Sequence, residues 1–283
     1  MSIPKRHDDI FSIIVQCYNN LTKSETKVAD YVLRHKATVA TQSISELAAC
    51  CEVSEATISR FCHSVNCSSF NEFKLSVVHS NSAADTRGLD LDLYSTLQPT
   101  DSVEQKCRKL CSVSMETLQQ TLHDLDVEAI SQAVDIFSQA KNVYCFGQGN
   151  SSIVAEDTWG RFSTVSTKFH FISNANLQAT TAQLLGKDDV VLYFSFSGAV
   201  RELTEVGQLL EGSEAKLILV TRFPNSPGAR YADLLLVCGA NEAPRQQGSI
   251  AAKIGQLFIV DVLFHEFCAR NQIYKIFSSA DMH

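Results

Sequence analysis

Glycine and serine occur together in two short segments that each follow an apolar run. The first is residues 147–152, with the sequence GQGNSS, and the second is residues 195–198, with the sequence SFSG. Backbone N–H groups at the start of a helix, the positive end of its dipole and serine hydroxyls together bind phosphate oxygens. The two segments therefore predict a site for a phosphorylated ligand.

The first segment differs from the phosphate loops of nucleotide-binding proteins. No lysine follows its glycines, as a P-loop requires. Ser152 stands where the dinucleotide fingerprint has its third glycine, which argues against NAD. We therefore predict no cofactor. By itself, the pattern also fits an ordinary turn between a strand and a helix.

Four polar residues follow the last predicted strand: Glu242, Arg245, Gln246 and Gln247. Glu242 has three interpretations: it accepts hydrogen bonds from sugar hydroxyls, acts as an acid or base, or faces solvent. An isomerase needs further groups that transfer protons, but His170 and His265 have mostly apolar neighbours. Binding is thus favoured, and a sugar-phosphate isomerase or lyase remains the alternative.

Residues 44–61 have the spacing of two short helices joined by a tight turn. Small Ala48 allows a close approach, the turn lies near Glu52, and Ile58 and Phe61 point inward. Six residues are then expected on the exposed first half of the second helix: Ser54, Glu55, Ala56, Thr57, Ser59 and Arg60. Hydroxyl groups and an arginine suit phosphates and base edges, which favours DNA binding over a plain corner between helices.

Helix starts are marked clearly in the first 80 residues. Thr22, Ser43 and Ser69 are each followed three positions later by glutamate, which matches the capping box. Ser54 caps a further helix. About five short helices are therefore expected between residues 5 and 80.

The rest of the chain alternates apolar strands with helices. Five strands are predicted at residues 143–146, 168–172, 189–194, 216–221 and 233–238, and a long last helix at about 249–271. Continuous apolar strands separated by helices indicate a parallel sheet covered on both faces. Ligands bind at the carboxyl ends of such strands, which is where both serine segments fall.

Composition limits the class of protein. The 283 residues are enough for about two domains, and no apolar run approaches the ~20 residues that span a bilayer. Ten cysteines without CxxC spacing indicate reduced core thiols rather than a metal or disulfide site. Together with a polar amino terminus, these features predict a cytoplasmic protein with no membrane segment.

Charge is distributed unevenly between the first 80 residues and the rest of the chain. The first 80 residues hold eight basic and eight acidic side chains, so the other 16 basic and 23 acidic ones carry the whole net charge of −7. An acidic total does not favour nonspecific binding to nucleic acid. Any DNA contact must therefore come from a local basic face of the first segment.

Two patterns together resemble the RpiR-type bacterial transcriptional regulators. Residues 43–74 (SISELA…VSEATISRFC…FNEFK) resemble the winged-helix DNA-binding domain of that family. The two serine segments, with 221–233 and Glu242, Gln256 and Asp261, resemble the sugar isomerase (SIS) domain that follows it. The resemblance implies an all-α helix-turn-helix domain at 1–80, a linker and bridging helix at 81–122, and a three-layer α/β domain with a parallel sheet at 123–283.

The resemblance also implies partners and roles. The chain is expected to bind double-stranded operator DNA, to change its DNA affinity when a phosphosugar binds, and to form a homodimer or homotetramer. The implied DNA-binding residues are Ser54, Ala56, Thr57, Arg60 and Lys74. The implied effector-binding residues are Gly149, Ser151, Ser152, Ser195, Ser197, Gly198 and Glu242.

Three residues depart from the family pattern. Val200 stands where the second serine segment is commonly followed by threonine, so one hydroxyl for phosphate is missing. Glu52 and Asn66 replace glycines beside the second helix of the helix-turn-helix. A non-glycine residue with positive φ costs about 1 kcal/mol.

Overall fold

The computed structural model describes residues 10–85, 97–239 and 250–273, with the side chains of 82–85 excepted. Contacts divide these residues into two units, one ending at Glu116 and the other beginning at Thr117. Glu242 and its polar neighbours lie outside the described residues.

The first unit is built from short helices. Their bounds are α1 Ile10–Cys17, α2 Lys23–Arg34, α3 Lys36–Val39, α4 Ile44–Cys51, α5 Glu55–Ser64 and α6 Phe70–Asp85. The inward faces of these helices share one core, in which Val32, Leu47, Ile58, Phe61 and Phe73 are fully buried. Residues 10–85 contain no strand, so the all-α prediction is confirmed, and the β-hairpin of a winged helix is not found within this range.

Two of the three predicted capping boxes are present in full. Thr22 with Glu25, and Ser43 with Glu46, satisfy each other's backbone N–H groups. The third prediction is half wrong. The Ser69 hydroxyl accepts the N–H of Glu72, but the Glu72 carboxylate accepts the N–H of Ser68 at 2.7 Å.

Both positions that lack a family glycine have positive φ, which was expected at Glu52. Glu52 has a φ of 53° and Asn66 has a φ of 63°. At the first, the N–H of Val53 donates to the carbonyl of Ala48 and closes the turn between α4 and α5. The chain therefore builds the turn at the cost of some backbone strain.

The second unit holds a five-stranded sheet in which all strands are parallel. The strands are β1 Asn142–Gly147, β2 Phe169–Phe171, β3 Asp189–Phe194, β4 Lys216–Thr221 and β5 Leu234–Val237, in the order β2-β1-β3-β4-β5. The helices are α8 Val127–Gln139, α9 Asn150–Ser163, α10 Ala175–Ala182, α11 Arg201–Leu210 and α12 Ala251–Arg270. One core packs α8, α9 and α12 on one face of the sheet, and another packs α10 and α11 on the other. This confirms the three-layer α/β prediction.

Helix α7, Val103–Asp124, crosses the boundary between the units. The contacts start the second unit at Thr117, six residues before the expected start at 123. Thr117 and Thr121 are buried, and the Thr121 hydroxyl accepts the N–H of Gly239 at 2.9 Å. The last turns of α7 therefore belong to the second unit because their hydroxyl face packs there.

The ten cysteines are all free. Six of them are buried, and burial raises the pKa of the Cys238 thiol to about 12. Cys50, Cys107 and Cys111 are exposed. The buried thiols therefore act as small apolar side chains.

Candidate functional site

The two serine segments leave neighbouring strands at the same edge of the sheet. Strands β1 and β3 pair in parallel, with Gly147 opposite Phe194. Residues 148–152 continue from the first strand and residues 195–198 from the second. The register thus brings the two turns, predicted separately from the sequence, to adjacent places at the carboxyl edge.

Close backbone packing shapes the first turn. A Cβ on Gly147 would lie 2.6 Å from the carbonyl oxygen of Ser151, so only glycine fits. Gly149 precedes α9 with a φ of 56°, and no side chain caps this helix. Ser151 and Ser152 lie half-buried in its first turn. Their hydroxyls therefore sit at the positive end of the helix dipole.

The buried side-chain amide of Gln178 stabilises this turn. The Gln178 side chain donates to the carbonyls of Gly147 at 3.3 Å and Ile172 at 2.6 Å, and its oxygen accepts from the Gln148 side chain at 2.7 Å. Gln178 is fully buried. This amide fixes the end of β1, and no motif in the sequence marked it.

The second turn is tied down by its own hydroxyl groups. The buried Ser195 hydroxyl accepts the N–H of Gly198 at 3.2 Å, and the half-buried Ser197 hydroxyl accepts the N–H of Ala199 at 3.3 Å. Gly198 has a φ of 60°, and a Cβ there would lie 1.9 Å from the Ser226 hydroxyl oxygen. Glycine is therefore required at 198, and Ser197 is the more accessible of the two serines.

Val200 is the residue that precedes α11, and its side chain cannot cap the helix. Threonine at this position would supply a hydroxyl at the helix start. Val200, which replaces the threonine common in the family, therefore lies where a hydroxyl would face the carboxyl edge of the sheet.

A buried ion pair fastens the loop after β4 to the end of α7. Arg222 Nη1 lies 2.5 Å from Asp124 Oδ2, and Arg222 is 3% exposed. Burial raises the pKa of Asp124, but the charge of Arg222 and hydrogen bonds from His123 and Gln120 outweigh it and lower that pKa. The backbone N–H of Arg222 also donates to the carbonyl of Phe196 at 3.0 Å. Arg222 therefore contacts the second serine turn through its backbone and α7 through its side chain.

Most predicted DNA-binding residues of α5 are exposed, but Thr57 is not. Ser54, Ala56 and Arg60 are exposed, whereas Thr57 is 5% exposed. The exposure prediction for Thr57 is wrong because a residue four positions before Phe61 lies on the same inner face of the helix. Its hydroxyl lies 3.0 Å from that of Ser54 and accepts from Arg60 Nη2 at 3.1 Å.

Arg60 also belongs to a small charged cluster. Burial raises the pKa of Glu25, but hydrogen bonds from Thr22 and Ser64 and the charge of Arg60 outweigh burial and lower it. Arg60 is thus oriented from one side by Thr57 and attracted by the charge of Glu25. Sequence reasoning identified Glu25 only as part of a capping box and missed its contact with Ser64, because that contact spans 39 residues.

Lys74 lies on α6, half-buried, with its ammonium 5.9 Å from the centre of the Phe70 ring. The pKa of Glu46, in the first turn of α4, is lowered mainly by hydrogen bonds from Ser43 and further by the charge of Lys74. These effects outweigh the desolvation that raises it. Lys74 therefore lies near the start of α4.

Comparisons with known proteins agree with this architecture. Residues 9–84 match the helix-turn-helix domain of the rpiR family, and residues 136–266 match the SIS domain. The chain is 32% identical over 256 residues to an uncharacterized HTH-type transcriptional regulator of Caldanaerobacter subterraneus, covering 90% of this chain and 89% of that protein. This chain belongs to the RpiR family.

Another relative is the HTH-type transcriptional regulator HexR of Escherichia coli, which is 31% identical over 89% of this chain and 85% of its own length. The fold is shared with NanR of Vibrio vulnificus, solved in complex with ManNAc-6P, at 24% identity and a TM-score of 0.58 over 95% of this chain and 97% of that one. As an RpiR-family protein, the chain is a transcriptional regulator with an SIS domain.

The described residues add two further observations on this RpiR-family chain. No helix among them is both long and apolar enough to cross a bilayer. Over the same ranges, no three histidine, cysteine or acidic side chains cluster in a way that would hold a metal ion.

Proposed function

We propose that α5 of this regulator reads operator DNA and that a phosphosugar bound at the two serine turns changes its DNA affinity. One observation carries the effector half of the proposal. Two glycine-serine turns leave paired strands at one edge, and the helices that follow, α9 and α11, start without a side-chain cap. Helix starts of this kind attract phosphate.

The DNA half rests on the exposed side chains of α5. Ser54, which caps the helix, and Ala56 and Arg60 within it face solvent, as the base-contacting residues of a recognition helix do. Thr57 positions Arg60 rather than touching DNA, because its hydroxyl is buried and accepts from the guanidinium. Lys74, near the start of α4, supplies a phosphate contact.

The effector site takes its phosphate group at Ser151, Ser152 and Ser197, with the backbone of Gly149 and Gly198 allowing a close approach. Ser195 supports the second turn from beneath, since it is 3% exposed and bonded to the N–H of Gly198. Glu242 remains the proposed contact for sugar hydroxyls. The NanR protein of the same fold binds ManNAc-6P, which supports a sugar phosphate as the ligand class.

The two sites are linked by a coupling free energy. A phosphosugar alters DNA binding only if it binds one conformation better than another, and the DNA must then alter phosphosugar affinity by the same factor. The proposal is therefore checked by measuring the DNA affinity with and without phosphosugar and the phosphosugar affinity with and without DNA, since the two ratios must agree.

The effector half is tested by thermal shift and calorimetry with a panel of phosphosugars, the matching unphosphorylated sugars and inorganic phosphate. We expect stabilisation by a phosphosugar, none by its unphosphorylated form, and at least tenfold weaker binding in Ser151→Ala/Ser197→Ala. Ser163→Ala, at the opposite end of α9, is the matched control and keeps full affinity. Binding that ignores the phosphate, or survives the double substitution, contradicts the assignment.

The DNA half is tested by selecting bound fragments from random duplex DNA and measuring affinity against salt. Arg60→Ala should cost about 1–3 kcal/mol if it reads a base, or reduce the salt slope by about one if it contacts a phosphate. Lys187→Ala removes one charge from an exposed loop of the second unit and serves as control. An unchanged affinity and slope in Arg60→Ala would show that α5 is not the DNA-binding face.

The isomerase alternative is tested on the same panel. We expect no interconversion of aldose and ketose phosphates. Sustained turnover that Glu242→Gln abolishes would make the protein an enzyme and remove the proposal of a pure sensor.

A further inference from the structure

Strands β1 and β3 lie side by side, and the chain leaves them in opposite directions, toward β2 and toward β4. Helix α9 follows β1 and packs with α8 and α12, whereas α11 follows β3 and packs with α10 on the other face. Ligands of open parallel sheets bind in the crevice at such a reversal, outside the carboxyl ends of the strands. The two serine turns border this crevice, so a further polar side chain between them is placed to contact the rest of the ligand.

Gln148 is such a side chain. It lies in the first serine turn, half-buried, and sequence reasoning gave it no role. Its amide donates to the side-chain oxygen of the buried Gln178 on α10 at 2.7 Å, which places it on the side of the sheet that α10 covers. An amide has two N–H donors and an accepting oxygen. The second N–H and the oxygen of Gln148 therefore remain for other partners.

Tyr193 is the last residue but one of β3 and lies on the same side of the sheet. It is opposite Phe146 in β1, and the two rings pack edge to face with their centres 6.3 Å apart. The side chain is fully buried, and within the described residues its hydroxyl has no hydrogen-bond partner. Buried hydroxyls are nearly always hydrogen-bonded, because an unpaired one lowers stability. The Tyr193 hydroxyl therefore indicates a polar contact that is made when the crevice is in use.

Two further polar groups come close to this hydroxyl. Burial raises the pKa of Tyr193, the Gln148 amide lowers it in part, and the charge of Glu202 raises it further. Gln148 approaches from the first serine turn, and Glu202 from the first turn of α11. Both side chains are half-buried. They therefore connect the buried hydroxyl with the accessible part of the crevice.

We propose that the Gln148 amide binds a hydroxyl of the sugar and selects the effector among phosphorylated compounds, with Tyr193 as its positioning residue. This inference rests on the proposed function, in which the serine turns hold the phosphate. An uncharged amide beside the carboxylate of Glu202 suits a neutral hydroxyl, whereas a second anionic group would be repelled. The ligand class is therefore a neutral sugar monophosphate, not a sugar bisphosphate or the phosphate of a sugar acid.

Tyr193 acts through Gln148, because its own hydroxyl is fully buried. The second N–H of the Gln148 amide donates to the Tyr193 hydroxyl, and the amide oxygen then accepts from the sugar. This arrangement gives the buried hydroxyl its missing partner and turns the amide oxygen toward the crevice. Gln178 holds the other N–H of the same amide.

The first test compares Gln148→Leu with the wild-type chain by calorimetry, using the phosphosugar of the panel that the wild-type chain binds most tightly. We expect about tenfold weaker binding, because a hydrogen bond to the sugar is lost. Affinity for inorganic phosphate, which reaches only the serine turns, should not change. Gln139→Leu, the same change at the exposed end of α8, is the control and keeps full affinity for both.

The second test identifies the sugar hydroxyl by removing it from the ligand. Deoxy analogues of the same phosphosugar are measured with the wild-type chain and with Gln148→Leu. For one analogue we expect about tenfold weaker binding to the wild-type chain and no further loss in Gln148→Leu, since both changes remove one contact. Losses that add for every analogue would overturn the contact.

Tyr193→Phe tests the positioning role. The unfolding free energy should not fall, because the hydroxyl that is removed has no partner in the fold. Phosphosugar affinity should fall several-fold while phosphate affinity stays the same. Tyr144→Phe, on the same face of the sheet, is the matched control and keeps the phosphosugar affinity. Unchanged phosphosugar affinity in Tyr193→Phe would overturn the role of Tyr193.

The ligand class is tested across the panel. Each sugar monophosphate should bind more tightly than the bisphosphate or sugar-acid phosphate with the same carbon skeleton, and Glu202→Gln should narrow this difference. Tighter binding of the doubly anionic compounds would overturn the neutral class.

Failure of this inference differs from failure of the proposed function. If Ser151→Ala/Ser197→Ala weakens phosphosugar binding and Gln148→Leu does not, the serine turns hold the phosphate and Gln148 has no part in specificity. If no phosphosugar of the panel binds the wild-type chain, the proposed function fails and this inference fails with it.

Discussion

Helix starts in the helix-turn-helix and helix starts at the two serine turns are satisfied in different ways. In the helix-turn-helix, Thr22, Ser43 and Ser54 cap α2, α4 and α5 with their own side chains. At the carboxyl edge of the sheet, α9 and α11 begin after Gly149 and Val200 without any side-chain cap. Capped starts serve the fold, and uncapped starts beside serines leave N–H donors for a phosphate.

The two regions also differ in the range of their contacts. The caps join residues three positions apart, whereas the ion pair of Asp124 with Arg222 spans 98 residues and the hydrogen bond of Thr121 with Gly239 spans 118. Local caps begin the helices of the DNA-binding unit, whereas these distant contacts hold the sheet edge that carries the two serine turns. Four substitutions probe this difference.

The largest effect is expected for Asp124→Asn. Removing one partner leaves the Arg222 charge buried and unpaired, which costs about 3–5 kcal/mol. Asp135→Asn is the control, because its pair with Arg270 is 57% exposed on the aspartate side and contributes under about 1 kcal/mol. Urea unfolding measures the unfolding free energy of both variants. Equal losses would show that the buried Asp124–Arg222 pair contributes no more than the exposed pair.

The same pair predicts a pH dependence. The folded pKa of Asp124 is lowered, so its stabilisation is present above the unfolded value of about 3.9 and is lost as pH falls through the folded value. Wild-type stability should therefore drop at acid pH more steeply than that of Asp124→Asn. Parallel pH profiles would show that the pair does not stabilise the fold.

Gly198→Ala tests the second serine turn. The added Cβ meets the Ser226 hydroxyl and must also adopt a φ of 60°. Overpacking and backbone strain together cost about 2–5 kcal/mol. Gly212→Ala, where a Cβ meets nothing within 4 Å, is the control. Unfolding free energies compare the two, and a tolerated alanine at 198 would mean that the turn has another conformation.

These two sites show where sequence reasoning stops. Strands β3 and β4 have the predicted bounds, and the positive φ of Glu52 was expected, because periodicity and turn chemistry are local. The Arg222–Asp124 pair, the Gln178 support and the Ser226 contact join residues that only the fold brings together. The prediction that Thr57 is exposed was wrong for a simpler reason, because too many residues were assigned to the exposed face of α5.

Val200→Thr makes the two kinds of helix start more alike. A threonine cap should stabilise α11 by about 0.5–1 kcal/mol, and its hydroxyl should strengthen phosphosugar binding several-fold. Val200→Ala is the control and should not strengthen binding. Calorimetry with the phosphosugar of the panel that binds the wild-type chain most tightly measures the change. A higher unfolding free energy together with weaker phosphosugar binding would show instead that the threonine cap competes with the phosphate for the same N–H groups.

Glu52→Gly is expected to have the smallest effect and acts on the local side of the comparison. Glu52 holds a φ of 53°, so glycine relieves strain and should raise the unfolding free energy by about 0.5–1 kcal/mol. The lost pair with Lys27 is exposed on both sides and offsets little of this gain. Asn66→Gly should gain less, because asparagine tolerates positive φ better than glutamate. Chemical unfolding measures the change. If only Glu52→Gly raises the unfolding free energy and DNA affinity is unchanged, the strain lies in the turn between α4 and α5 alone. A loss of stability would mean that the Glu52 side chain contributes more than its backbone costs.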